Sequence, residues 1–276
     1  LYPGLEPFIT NKNWGARGHT SSGEYGHTVW VNYFHPEFAE YFSNLVLKQA
    51  YRYDGLILDW WHNDHPGASK IKVKMARRKI AEAIRNKMGK EFIILGNVNW
   101  KGNGDTHDLI NGVFMELAKS KKTHSAYSCN EIAKIEKLIK FHDLNLSEPR
   151  IIAVEPWRIT KKFSSAKYNK WEKAQLFLKD RSSPKNIQFA KLFTAMAMVI
   201  PENGYILYGD NNPDYPFGDH NHDYYDFYNA DLGKAISDGV EITEGLAYKK
   251  YEKGLIVYNR TKFKYTVKFK DGKKFE

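Results

Sequence analysis

Three carboxylates stand directly behind short apolar runs: Asp59 after Leu56-Ile57-Leu58, Glu116 after Val113-Phe114-Met115, and Glu155 after Ile151-Ile152-Ala153-Val154. An acid at the end of a buried strand must reach water, a ligand or a cation, because an unpaired buried carboxylate is costly. Carboxylate pairs are the machinery of glycoside hydrolysis: one attacks the anomeric carbon or activates water, and the other protonates the leaving oxygen. Trp60, Trp61, Trp100 and Trp157 accompany these acids, and flat indole faces stack on pyranose rings. Asn97, Asn99 and Asp210 follow further apolar runs and could bond sugar hydroxyls, with His62 in the loop behind Trp61. Asp59, Glu116 and Glu155 are therefore the candidate catalytic residues, and the other eight are candidate substrate contacts. A bridge to Arg or Lys is the structural alternative for each acid.

Other chemistries have weaker support. The run Trp61-His62-Asn63-Asp64-His65 gathers two imidazoles and a carboxylate, but not at the helical spacing of a zinc protease, and it is read as a substrate-contacting loop. Asp219-His220-Asn221-His222-Asp223 reads as a polar loop. Cys129 is the sole cysteine, so internal disulfides and multi-cysteine zinc sites are excluded. No glycine-rich phosphate loop follows any strand, which counts against a nucleotide fold. No metal and no cofactor is called for.

The elements that must position these residues alternate. A helix is expected from Pro36 to Tyr51, with Phe38, Tyr41, Phe42, Leu45 and Val46 on one stripe. A strand at 56–58 follows, then a helix from about Ser69 to Met88 stopped by Gly89. Strands at 92–95 and 113–115, a helix marked by Ile132, Ile135, Leu138 and Ile139, and a strand at 151–154 come next. A nearly all-apolar helix spans Phe189 to Ile200, and a last strand Tyr205 to Tyr208. Strands apolar on both sides with helices between them imply a parallel sheet covered by helices. A (β/α)8 barrel collects its strand ends around one mouth, whereas an open sheet spreads them along an edge. From about Val240 the texture changes to alternation, the mark of antiparallel hairpins.

These segments bring a resemblance into view. Asp54-Gly55-Leu56-Ile57-Leu58-Asp59-Trp60-Trp61 resembles the fourth barrel strand of glycoside hydrolases of the α-galactosidase-like and endo-α-1,4-polygalactosaminidase-like type, where it supplies a catalytic Asp. Asn97-Val98-Asn99 is similar to their fifth strand end, and Asn111-Gly112-Val113-Phe114-Met115-Glu116 to their sixth, where the second acid sits. Tyr228 to Lys234 and Tyr248 to Asn259 are similar to stretches after the last strand and in the C-terminal β domain. The resemblance spans roughly residues 30–260, and Glu155-Pro156-Trp157 has no firm counterpart in it. It implies Asp59 as nucleophile or base, Glu116 as acid, a carbohydrate substrate, and a secreted or cell-surface setting.

The expectation is thus a (β/α)8 barrel over residues 1–239, truncated at its N-terminus with part of a third strand near Thr28 to Tyr33, then the start of a β domain over 240–276. The chain has 276 residues, 42% hydrophobic and 27% charged, which excludes disorder, and no run is long enough to span a membrane. Lys and Arg number 42 against 32 acids, a net +10, and aromatics reach 15%. Such charge favours polyanions, and the basic residues Lys72 to Lys87 are the best nucleic-acid candidate. They read instead as the solvated face of a surface helix, and nucleic acid is not the expected partner. Lys161 to Lys185, with Tyr168 and Trp171, could form a collar for an anionic polysaccharide. A non-catalytic carbohydrate-binding barrel and a metal-dependent phosphoesterase are the competing readings. Oligomeric state is not legible.

Overall fold

The structure is a computed structural model that describes residues 9–13, 29–64, 68–119, 126–159, 167–210, 221–268 and 274–275. In chain order the elements are β1 (Ile9–Asn13), β2 (Val29–Val31), α1 (Phe38–Gln49), β3 (Gly55–Leu58), α2 (Lys70–Met88), β4 (Ile93–Asn97), β5 (Gly112–Leu117) and α3 (Cys129–Asn145). Then come β6 (Ile151–Pro156), α4 (Lys170–Arg181), α5 (Pro184–Val199), β7 (Asn203–Ile206), β8 (Gly209–Asp210) and β9 (Asn221–His222). The chain closes with β10 (Val240–Thr243), β11 (Leu246–Tyr251), β12 (Gly254–Asn259), β13 (Val267–Lys268) and β14 (Lys274–Phe275).

The central sheet is parallel, with its five strands in sequential order β3-β4-β5-β6-β7. Parallel connections are right-handed, so an order that never reverses winds every crossover onto the same side. Burial agrees with this. On one face Ile94, Val113, Met115, Leu117, Ile152 and Val154 have no exposed surface, packed with Ile84, Ile135, Ile139, Phe193 and Met196 of the helices. On the other face Ile57 is 55% and Tyr205 58% exposed. The sheet is singly wound: helices cover one face, and among the described residues no helix covers the other, the bare face, where Ala153, Asn97 and Glu155 are nonetheless buried.

Local sequence explains where the helices begin. Ser69 caps α2 by accepting from the Lys72 amide, and α3 and α4 open with reciprocal capping boxes, Ser128 with Glu131 and Asn169 with Glu172. Pro184 takes the first position of α5, and Gly89 ends α2 at φ 79°. Gly96 faces the helices where a Cβ would collide with the Trp61 indole, so the ring packs flush against β4.

Among the described residues the strands close no ring; the five-stranded sheet keeps two edges, β3 and β7, as expected of a barrel lacking its first strands. One expectation is corrected. Residues 29–31 do not join that sheet, because they are paired antiparallel with β1. The hairpins expected after Val240 form a separate three-stranded sheet, β10-β11-β12. It packs on α5 and is fastened to α3 at Glu136. That buried carboxylate accepts from Arg260 Nε at 2.6 Å, Lys140 Nζ at 3.0 Å and the Tyr258 hydroxyl at 3.1 Å. The α4 helix is the one long element the hydrophobic pattern did not reveal; its asparagine capping box was the available signal.

Candidate active site

Sheet register decides which side chains share a face. Glu116 is directly opposite Glu155 across β5 and β6, and Asn97 opposite Phe114 across β4 and β5. Side chains alternate along a strand, so Asn97, Glu116 and Glu155 all project from the bare face at the C-terminal ends of their strands. Asp59 joins them from the end of β3. The Asn97 Nδ2 donates to Asp59 Oδ1 at 2.9 Å and to Glu116 Oε2 at 3.1 Å. Its Oδ1 accepts the Asn99 amide at 3.2 Å, which fixes the orientation of the carboxamide. Because both oxygens bond to the same nitrogen, they lie within about 6 Å of each other.

The turns behind these strands are strained alike. Trp60 and Asn99 both have φ of 51°, in the left-handed region. Asn adopts it readily, whereas Trp is held there against its preference, a feature that clusters at functional sites. The Trp60 amide donates to Asp59 Oδ1 at 2.8 Å, aiming that carboxylate back over the strand end, and the Trp60 indole is 48% exposed.

Glu155 is buried, and His222 Nε2 approaches its Oε1 at 2.6 Å. The neighbouring Asp223 anchors His222. Its carboxyl lies 3.3 Å from Arg158 and 3.5 Å from Arg181, and its amide donates to the Tyr208 carbonyl at 2.7 Å. Burial pushes the Asp223 carboxyl above the usual range, with the two guanidiniums opposing the shift. This anchor went unrecognised in the sequence, where 219–223 reads only as a polar loop.

No protein-family model matches the chain, and no curated protein matches it.

The remaining candidates divide. Trp61 belongs to the core rather than to a stacking wall: it is 5% exposed, its indole N–H donates to Thr106 Oγ1 at 2.9 Å, and the Arg77 guanidinium lies over its ring at 4.7 Å. Trp100 turns toward α3, bonded to the Ala118 carbonyl at 3.0 Å with Lys134 5.7 Å over its ring, so it too is occupied by packing. His62 is buried beside Trp60, its rings 5.6 Å apart, and burial holds its pKa below the ordinary value. Trp157 continues the β6 alternation on the Glu155 side, its amide donating to the Tyr127 hydroxyl at 2.6 Å. Asp210 pairs with Asn221 through the backbone, and its side chain lies outside the described residues, as do His65, Asp219, His220 and residues 160–166.

Among the described residues no group of three or more His, Cys, Asp or Glu side chains could hold a metal ion. Among the described residues no helix is long and apolar enough to cross a membrane. The basic residues of α2 are largely occupied within the chain: Lys74 with Asp105 at 2.7 Å, Arg78 with Asp108 at 2.7 Å and Glu82 at 2.9 Å, and Lys87 with Glu40 at 2.6 Å. Arg85 is wrapped by the carbonyls of Leu109 and Phe92, both at 2.7 Å. Arg77 is buried, donating to the Trp61 carbonyl and Asn63, and desolvation lowers its pKa to about 10.

Proposed function

We propose that this chain hydrolyses O-glycosidic bonds, with Asp59 and Glu116 as the carboxylate pair and the five-stranded sheet as an arc of a (β/α)8-type barrel. The observation that carries the reading is the single Asn97 amide donating to both acids. It keeps the two bonded oxygens within about 6 Å of each other, compatible with the roughly 5–5.5 Å of retaining glycosidases and short of the ~6.5–9.5 Å that admits a water in inverting ones.

In this mechanism Asp59, oriented by the Trp60 and Asn97 N–H groups, attacks the anomeric carbon and forms a glycosyl ester. Glu116 transfers a proton to the departing glycosidic oxygen. Glu116 then takes a proton from water as that water attacks the ester, which regenerates both groups. Glu155 stands beside Glu116 on the same face and is held by His222, a placement suited to fixing a sugar hydroxyl. The exposed Trp60 indole supplies a stacking surface next to the nucleophile.

The test is a screen of aryl glycosides and oligosaccharides followed by proton NMR of the first product. The reading expects net retention. Asp59→Asn should lower kcat by about 10³-fold or more while sugar binding persists. Glu116→Gln should spare substrates with good leaving groups, because those need little protonation. An Asp59→Asn variant as active as the parent overturns the assignment. Sugar binding without turnover in the parent would select the carbohydrate-binding alternative.

A further inference from the structure

We propose that the cleft between α3, α5 and β12 binds a small organic anion with an apolar body. The cleft encloses about 560 Å³ on the helix-covered side of the sheet, away from Asp59 and Glu116. Its charged lining is wholly cationic, Lys185, Lys191 and Arg260, above a floor that includes Ile132, Leu192 and Val257. Among the described residues no carboxylate lines it.

Two further features favour an anion. Lys185 is the second residue of the 16-residue helix α5, and that first turn contains no acid. A helix N-terminus carries a partial positive charge and disfavours a lysine, so an anion beside Lys185 would offset both. Lys191 has a ring neighbour, Phe227 at 5.8 Å, but no carboxylate partner among the described residues. Arg260 is already bonded to Glu136 and Glu244, which offset its charge, so the two lysines supply the positive charge of the cleft. Beside the polar Gln188, Asn259 and Thr261, the lining includes the apolar Ile132, Phe189, Leu192, Ala195 and Val257, which an apolar body attached to the charge would cover.

Cys129 lines the same cleft and is exposed, and as the sole cysteine it reports occupancy at this place alone. The experiment follows alkylation of Cys129 by iodoacetamide in the intact chain, where sulfur displaces iodide and the thiol proton passes to buffer. It is run with octanoate, with 1-octanol and with acetate, each at the same concentration below micelle formation. Octanoate should slow alkylation saturably, by about fivefold or more at the plateau, and the other two should not. Lys185→Glu with Lys191→Glu should abolish the protection. Both lysines are exposed, and a carboxylate in the first turn of α5 suits the helix dipole better than an ammonium, so the melting temperature should not fall. Should it fall, Lys185→Gln with Lys191→Gln replaces the pair and must weaken protection in turn. Absence of protection by octanoate, equal protection by octanol or acetate, or protection that survives charge removal each overturns the site. None of these outcomes depends on glycosidase activity.

Discussion

The two faces of the parallel sheet share a backbone and differ in everything else. On the helix side six inward positions of β4, β5 and β6 are completely buried, while the opposite side exposes Ile57 and Tyr205 and presents Asn97, Glu116 and Glu155. A strand's two-residue period lets one sequence serve both surfaces. Stability is therefore concentrated on one face, and the polar and strained residues are gathered at the end of the other.

The largest separation between the faces should appear on truncation. Met115→Ala removes a side chain with no exposed surface from the helix side and should cost about 2–5 kcal/mol. Ile57→Ala, on the bare face, should cost less than about 1 kcal/mol because most of its surface already meets water. Urea midpoints at unchanged slope measure both. Equal losses would mean that the bare face is covered in solution.

How much of this division could be read in advance follows from the same period. The apolar runs 56–58, 113–115 and 151–154 located the strands, and their terminal acids marked the candidate site, since polar groups at the end of a buried strand have few other uses. Order and direction followed from helices lying between strands. What the sequence could not supply was distance. The contact of Asn97 with two acids depends on register across three strands, and the pairing of His222 with Glu155 spans 67 positions. Trp61 misled for a related reason. Two adjacent tryptophans look alike as stacking surfaces, but the left-handed turn at Trp60 sends one ring outward and the other behind β4, onto Gly96.

A pH titration should sharpen the comparison from the helix side. His107 Nε2 and His142 Nδ1 are 2.7 Å apart in the core, and His142 Nε2 is 3.0 Å from the Lys101 carbonyl. His142 therefore donates to that carbonyl and accepts from His107, an arrangement that requires the His142 ring to be neutral. Burial, with mutual repulsion for His142, lowers the two pKa values to about 4 and about 3. The unfolded rings titrate near 6.5, so between pH ~6.5 and ~4 the unfolded chain binds more protons. Stability is then full above about pH 7 and falls as pH drops through that window, by on the order of a few kcal/mol. Carboxylates held low by cations, such as Glu136 beside Arg260, act only at lower pH. His107→Gln with His142→Gln should flatten the urea midpoint between pH 7 and 4.5. An unchanged slope would assign the acid sensitivity elsewhere.

The smallest effect is expected on the bare face, at Trp60. Its φ of 51° matches that of Asn99 at the equivalent turn one strand away, and Asn is the non-glycine residue most at ease there. The Trp60 side chain is about half exposed, so its packing contributes little to offset backbone strain of order 1 kcal/mol. Trp60→Asn should leave the amide bond to Asp59 intact, because that bond comes from the backbone. Stability should therefore stay level or rise, by less than about 1 kcal/mol, while affinity for a sugar stacked on the indole falls. The same substitution would lower stability and leave sugar binding untouched if the ring served only packing, so the two measurements together separate a strained functional position from an ordinary surface tryptophan.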